Sequence, residues 1–241
     1  MIPAYVGYDP REAIAYHVFC QSVIEHASLP VSFTPLHSPM LSGFDGQRDG
    51  TNAFIYSRYL VPYLSGYSGW ALFVDGDMVV TDDIAKLWAL KDDRFAACVV
   101  KHDYRTQHPR KYRGTPIEND NLDYPRKNWS SVVLWNCGHP ANRILSRAFV
   151  GEAGGKFLHR FQWLRDEEIG DLPVEWNHLV LEYPDNDNAK LLHHTLGTPA
   201  FKEYSDSDLS FHRYLLKAMN AIGENPMEVI ARAHGNYRKN R

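Results

Sequence analysis

The sequence predicts an α/β fold with a mostly parallel central sheet, and three observations lead there. Apolar runs of strand length recur at Ala4–Tyr8, Val31–Leu36, Trp70–Val74 and Phe95–Val100. Segments whose apolar residues fall at helical spacing lie between them. Strand and helix alternate instead of occurring in blocks, the order required by parallel strands joined through crossover helices.

The first strand, Ala4–Tyr8, ends at Asp9-Pro10, a turn or helix-start signal. Arg11–His26 reads as a helix, with Ile14, Val18, Phe19, Cys20, Val23 and Ile24 on its apolar face. Val31–Leu36 is the second strand, and His37–Gly50, rich in Gly, Ser and Pro, is a loop. Thr51 is placed to cap a helix running to Leu64, with Phe54, Ile55, Tyr59, Leu60 and Val61 facing the core. Trp70–Val74 has the uninterrupted apolar character of a buried strand, followed by a short helix at Ile84–Leu90 and a strand at Phe95–Val100. Lys101–Asn128 is polar, Pro-punctuated and aperiodic, as functional loops often are. Beyond it come a strand at Val132–Trp135, helices at Ile144–Val150 and Leu158–Ile169, a strand at Lys190–His193, and helices at Leu209–Ala221 and Met227–Tyr237.

Composition narrows the function. A chain of 241 residues with 44% hydrophobic and 23% charged residues is globular, and one domain is the simplest account: a nucleotide-binding half at 1–100 and an acceptor- and sugar-binding half at 101–241. The net charge of −3 gives no global field for nucleic acid. Cys20, Cys98 and Cys137 are odd in number and widely spaced, which argues against a disulfide framework or zinc knuckle and for a reducing compartment. No signal-peptide pattern opens the sequence, and no apolar run nears the roughly 20 residues needed to cross a bilayer. A cytoplasmic location is expected. The basic tail Tyr237–Arg241 suits either a peripheral membrane contact or a solvated, frayed end.

The sharpest motif is Asp75-Gly76-Asp77, delivered at the carboxyl end of the buried run Trp70–Val74. Ligands bind at that end of α/β sheets. Two carboxylates there suit Mn²⁺ or Mg²⁺, whose shell is completed by phosphate oxygens. Gly76 allows the sharp turn and close approach such a site needs. Asp75-Gly76-Asp77-Met78-Val79 fits two chemistries: a diphosphate-and-metal site for glycosyl transfer, and the first motif of a haloacid-dehalogenase-type phosphohydrolase with Asp75 as nucleophile. The phosphohydrolase motif belongs on a first strand, and here a strand–helix unit of about a third of the chain precedes it, so glycosyl transfer is preferred. A non-catalytic nucleotide-sugar binder is the third alternative.

Around that motif stand Tyr5-Val6-Gly7-Tyr8-Asp9, Tyr56-Ser57-Arg58-Tyr59-Leu60, His102-Asp103-Tyr104, Asn128-Trp129-Ser130-Ser131, Asp166-Glu167-Glu168-Ile169-Gly170, Trp176-Asn177 and His193-His194-Thr195-Leu196-Gly197-Thr198-Pro199. In this order the sequence resembles glycosyltransferase family 8 and its relatives, the glycogenin-like and bacterial galactosyltransferase-like enzymes, from Tyr5 to about Tyr214. The resemblance implies a GT-A (Rossmann-like) fold and a nucleotide-sugar donor, with UDP as the nucleotide. It further implies retention of configuration and a glycan or lipid-linked acceptor. It places Tyr8 and Asp9 at the uracil or ribose; for Asp9 a helix cap before Pro10 is equally open. Arg58 is assigned to the donor's sugar or phosphates, with a structural salt bridge as the alternative, Asp103 to sugar hydroxyls, and Ser131 to the same donor-binding set.

A histidine completes the metal site in this group. The approach from the strand selects His193 and the H-x-x-G spacing before Gly197 selects His194; alternation lets only one of them face the metal, and His193 is preferred. Asp166 and Glu167 occupy the place of the group's D-Q-D motif and are the catalytic candidates, against an ordinary solvated acidic helix end. One element departs from the pattern. The Lys-Pro-Trp expected after the glycine is missing, Ala200 and Phe201 stand there, and Lys202 is displaced.

Overall fold

The computed structural model describes residues 1–38, 41 and 52–222. Its central sheet takes β1 (Ile2–Gly7), β2 (Val31–Leu36), β3 (Trp70–Val74), β5 (Ala97–Val99), β8 (Val132–Asn136) and β9 (Ile169–Asp171) in the order β2-β1-β3-β8-β5-β9. All pairings are parallel except those of β8, which runs against both β3 and β5. The expected mostly parallel α/β sheet is therefore present. A smaller sheet joins β10 (His178–Leu179), β11 (Leu191–His193) and β4 (Met78–Val80), and β6 (Arg110–Lys111) pairs with β7 (Asn119–Asp120).

Period-2 alternation sends the central strands' side chains to two apolar layers. Phe73, Val133, Trp135, Ala97 and Val99 go to one face, where they meet Tyr59, Leu60 and Val61. That layer also receives Val150 of α4 (Arg147–Glu152) and Leu158 of α5 (Gly155–His159). Leu72, Val74, Val132, Leu134 and Cys98 go to the other, against Phe19 and Val23 of α1 (Ala13–His26) and Ile84 and Leu87 of α3 (Ile84–Trp88). Burial on both faces explains why Trp70–Val74 is apolar without interruption. Ser22, in the buried face of α1, accepts from the Val80 N–H at 3.0 Å and so ties the helix to β4. Ile24 departs from the expected apolar face and is exposed.

Three expected helices are altered. Thr51 lies outside the described residues; the helix it was to cap begins as a 3₁₀ turn, Ser57–Leu60, and only then becomes α2 (Val61–Leu64). Pro62 has no N–H for the Arg58 carbonyl, so the α-helical ladder cannot run through that turn. The helix expected at Ile144–Val150 starts later, where the Ser146 hydroxyl caps α4 by accepting from Phe149 N at 3.2 Å. The helix expected over Leu158–Ile169 stops at His159: Phe161 turns back with φ 51°, and Ile169 enters the sheet as β9 beside β5. Gly170 permits the close packing of this strand, since a Cβ there would lie 2.6 Å from the Phe95 ring. Lys101–Asn128 is irregular as expected apart from β6 and β7. The helix expected at Met227–Tyr237 and the basic tail lie outside the described residues. Among the described residues no helix is long and apolar enough to cross a membrane.

Candidate active site

The chain leaves β3 at Asp75, turns at Gly76 and enters β4 after Asp77, so both carboxylates stand at the carboxyl end of the central strands. The turn lies against the end of β1. A Cβ built on Gly76 would be 2.2 Å from the Gly7 carbonyl oxygen, and one on Gly7 would be 2.4 Å from the Phe54 ring. Backbone touches backbone here, which is the close approach expected of Gly76.

Strand pairing delivers the histidine. β11 runs antiparallel to β4 with His193 opposite Met78, the residue after Asp77. His193 Nε2 comes to 3.5 Å from Asp77 Oδ1 and 3.9 Å from Asp75 Oδ2, and one ligand atom from each of the three residues lies within 4.8 Å of the others. Alternation sends Leu192 and His194 to the opposite face: Leu192 packs near Phe211 of α6 (Leu209–Ile222), and His194 Nε2 meets Asp208 at 3.0 Å. Of the two histidines, His193 is the one whose ring faces the aspartate carboxylates, while the ring of His194 meets the Asp77 backbone carbonyl at 3.0 Å.

Behind the cluster stands a hydrogen-bonded chain. His193 Nδ1 is 2.9 Å from Asn177 Oδ1, Asn177 Nδ2 donates to Ser131 Oγ at 2.8 Å, and the Ser131 carbonyl accepts from Asp75 N at 2.9 Å. With Nδ1 engaged by the Asn177 oxygen, the Nε2 lone pair is the one aimed at the aspartates. Arg58, buried and flanked by Phe54 and Phe73, places Nη1 2.8 Å from Asp75 Oδ1 and donates to the Ser130 carbonyl at 3.0 Å. The structure thus shows the salt bridge anticipated as the alternative for Arg58, and the partner is Asp75.

The electrostatics of the pair are uneven. Burial pushes the Asp75 carboxyl up, against the pull of Arg58, with Asp77 pushing the same way as burial. Burial acts on Asp77 too, but His193 and Lys111 outweigh it and hold Asp77 below the ordinary carboxylate range. Asp77 Oδ1 is buried without a hydrogen-bond donor, and Asp75 Oδ1 has only its ion pair with Arg58. Such oxygens are costly unless a cation meets them. Two carboxylate oxygens and one imidazole nitrogen are a donor set that a divalent metal fits.

A pocket opens beside Asp77, bounded by Gly7, Asp9, Glu12, Tyr16 and Tyr112. Asp9 borders it and also caps the turn at Pro10, accepting from Arg11 N at 3.0 Å and pairing with the Arg11 guanidinium at 2.6 Å. The helix-cap setting anticipated for Asp9 is therefore present, and the same side chain lines the pocket. Tyr8 lies next to this pocket, its ring 5.5 Å from Tyr16 and 5.7 Å from His37. Asp103 is exposed just past β5, whereas its neighbour His102 is buried against Tyr183. Asp166 and Glu167 lie outside the cluster: both side chains are exposed, paired with Arg126 and Arg165 respectively.

The sequence reading missed three residues. Glu12 accepts from Thr198 Oγ1 at 2.7 Å and from the Tyr112 hydroxyl at 2.9 Å, and burial followed by the charge of Asp77 pushes its carboxyl up to about 8. Asn177 orients His193, and Lys111 enters on β6. Glu12 sits in the first turn before a helix, where acidic residues are ordinary, so its sequence carried no signal. Asn177 had been noted only as part of a motif, and Lys111 was one cation among many in the irregular segment.

No family model matches the chain. Among solved structures it superposes on the apo form of the bifunctional glycosyltransferase WbbM with a TM-score of 0.54 and 16% identity over 89% of this chain, but it spans 49% of that protein. It superposes on the galactosyltransferase LgtC, solved with donor and acceptor sugar analogs, with a TM-score of 0.55 and 11% identity over 94% of this chain and 98% of the other. At these identities the likeness shows the fold, which is that of the GT-A glycosyltransferases. In sequence the chain is 43% identical over 223 residues to Protein CDI of Arabidopsis thaliana, covering 86% of this chain and 82% of that one. Identity of that extent places the chain in the same family as the plant Protein CDI.

Proposed function

We propose that the chain is a metal-dependent glycosyltransferase that moves a hexose from a nucleotide-diphosphate sugar, with UDP as nucleotide, to a glycan or lipid-linked acceptor with retention. The observation that carries the reading is the cluster of Asp75, Asp77 and His193 at the carboxyl end of a GT-A sheet, in which the buried Asp77 Oδ1 has no hydrogen-bond donor. Asp75, Asp77 and His193 would hold Mn²⁺ or Mg²⁺, which when bound supplies positive charge to the departing diphosphate. Arg58 holds the Asp75 carboxylate and Asn177 holds the His193 ring, so neither ligand has to reorganise on binding. The pocket past Asp77 takes the nucleoside, with Tyr8 and Asp9 at its edge. Ser131 serves the donor site through Asn177, and Asp103 is offered to sugar hydroxyls.

We read the chain as one domain whose residues 1–100 form the nucleotide side and 101–241 the sugar and acceptor side, with His193 crossing to the metal. Asp166 and Glu167 are given no part in bond breaking, because their exposed carboxylates already face arginines. The phosphohydrolase alternative is weaker: it needs Asp75 as a free nucleophile, and Asp75 is buried against Arg58. The three free thiols, two of them buried, suit action in a reducing compartment such as the cytoplasm.

Thermal unfolding with UDP, UDP-sugars and GDP, each with and without Mn²⁺, tests the proposal. At 100 times the dissociation constant a ligand adds about 2.7 kcal/mol of stability. Stabilisation by a UDP compound that vanishes with EDTA is the expected result, and no nucleotide-dependent shift under any condition would overturn the reading. Binding without hydrolysis or transfer to any acceptor would instead support a non-catalytic binder.

A second expectation concerns Asn177. Asn177→Ala removes the acceptor for His193 Nδ1, and lost partners of metal-ligating histidines typically weaken metal affinity by about 10–100-fold. A Mn²⁺ titration should show that loss, and an unchanged titration would remove Asn177 from the site.

A further inference from the structure

The lysine expected after Gly197 is missing, and of the side chains that could replace it Arg58 is engaged and Lys202 faces solvent. Arg58 lies beneath Asp75 and is bound to that carboxylate and to the Ser130 carbonyl. Lys202 is exposed on the 3₁₀ turn Lys202–Tyr204. Of the lysines in the irregular segment, Lys127 is held by Asn121 at 2.8 Å and Asp123 at 3.5 Å, and Lys101 lies 5.9 Å from the centre of the Trp129 ring.

Lys111 differs from these. Its Nζ donates to Thr195 Oγ1 at 2.6 Å, and among the described residues it makes no direct ion pair. An ammonium has three N–H groups, so two are left for another acceptor. Burial draws this ammonium down to about 8, whereas the carboxylates of Asp77 and Asp75 act to keep it charged. Asp77 in turn feels Lys111.

The position is built. β6 and β7 form a hairpin whose next residue, Tyr112, is bonded through its N–H to the Leu196 carbonyl at 2.6 Å and through its hydroxyl to Glu12 at 2.9 Å. Arg113 N donates to the Tyr204 hydroxyl at 2.7 Å. Thr195, which holds the ammonium, is two residues beyond His193. A partly enclosed cation with one neutral acceptor, fastened to the turn that follows a metal-ligand candidate, is suited to an anion arriving at that cluster.

We propose that Lys111, carried on the β6–β7 hairpin, is the cation that contacts the diphosphate of the bound nucleotide, in the place of the lysine missing after Gly197. The inference rests on the glycosyltransferase reading. It gives the irregular segment a share in the donor site, although that segment was expected to serve the acceptor.

The test is calorimetry of UDP and UMP with Mn²⁺ on the wild type, Lys111→Met and Lys111→Arg. Lys111→Met should weaken UDP about tenfold to hundredfold and UMP much less, while Lys111→Arg should stay within a few-fold of wild type for both. Equal UDP affinity for wild type and Lys111→Met overturns the inference and leaves the glycosyltransferase reading in place. Wild type that binds neither nucleotide overturns both. Should Lys111→Met fail to fold, amine acetylation of the wild type followed by mass spectrometry gives the answer. Lys111 should be protected by UDP with Mn²⁺, and equal labelling with and without bound nucleotide overturns the assignment.

Discussion

Replacing Asp77 by Asn is expected to lower transfer by about a thousandfold, or about 4 kcal/mol of transition-state stabilisation, and to abolish the Mn²⁺-dependent thermal shift with UDP. The substitution keeps the shape and removes the charge. His193 and Lys111 keep the wild-type carboxylate ionised despite its burial, so a neutral amide withdraws a full negative charge from the metal-ligand candidates. The unliganded fold loses the attraction of His193 and Lys111 for this charge and is relieved of its repulsion with Asp75, so the melting temperature without ligand is measured beside the activity. An Asp77→Asn protein with wild-type turnover and an undiminished Mn²⁺ response would remove the metal from the proposal.

The second large effect is on stability. Gly76→Ala should cost about 3 kcal/mol or more, lowering the melting temperature by roughly 6–12 °C for a chain of this size. The added methyl would come within 2.2 Å of the Gly7 carbonyl oxygen, and that oxygen belongs to a central strand held in register on both sides. No rotamer change relieves a clash between backbones. Gly7→Ala makes a useful comparison, since its methyl meets the Phe54 ring, which can swing aside at smaller cost. A Gly76→Ala protein melting within 2 °C of wild type, in a scan without ligand, would show that the turn can open.

These two effects mark how far the sequence could be read. Asp75-Gly76-Asp77 was legible because its signal is local: an unbroken apolar run ending in two carboxylates about a glycine. His193 was half legible. The strand before it could be recognised, but the choice over His194 depended on which face of β11 meets the aspartates, and that is set by pairing with β4 more than a hundred residues earlier. Lys111 and Glu12 were not legible at all, since one is defined by its contact with Thr195 and the other by contacts with Tyr112 and Thr198. The same limit explains β9. Helical spacing over Leu158–Ile169 is a local property, whereas burial of Ile169 beside Ala97 is not, and burial prevailed.

The reversed direction of β8 shapes the rest of the molecule. The chain leaves β5 at Val99 and re-enters β8 at Val132, and Val99 lies opposite Val133, so the intervening segment starts and finishes at one rim. That rim is the one where β3 ends and Asp75 stands. Between its two ends the segment is also pinned by Lys111 to Thr195 and by Tyr112 to Leu196 and Glu12, so exchanges away from those ties should disturb the sheet least.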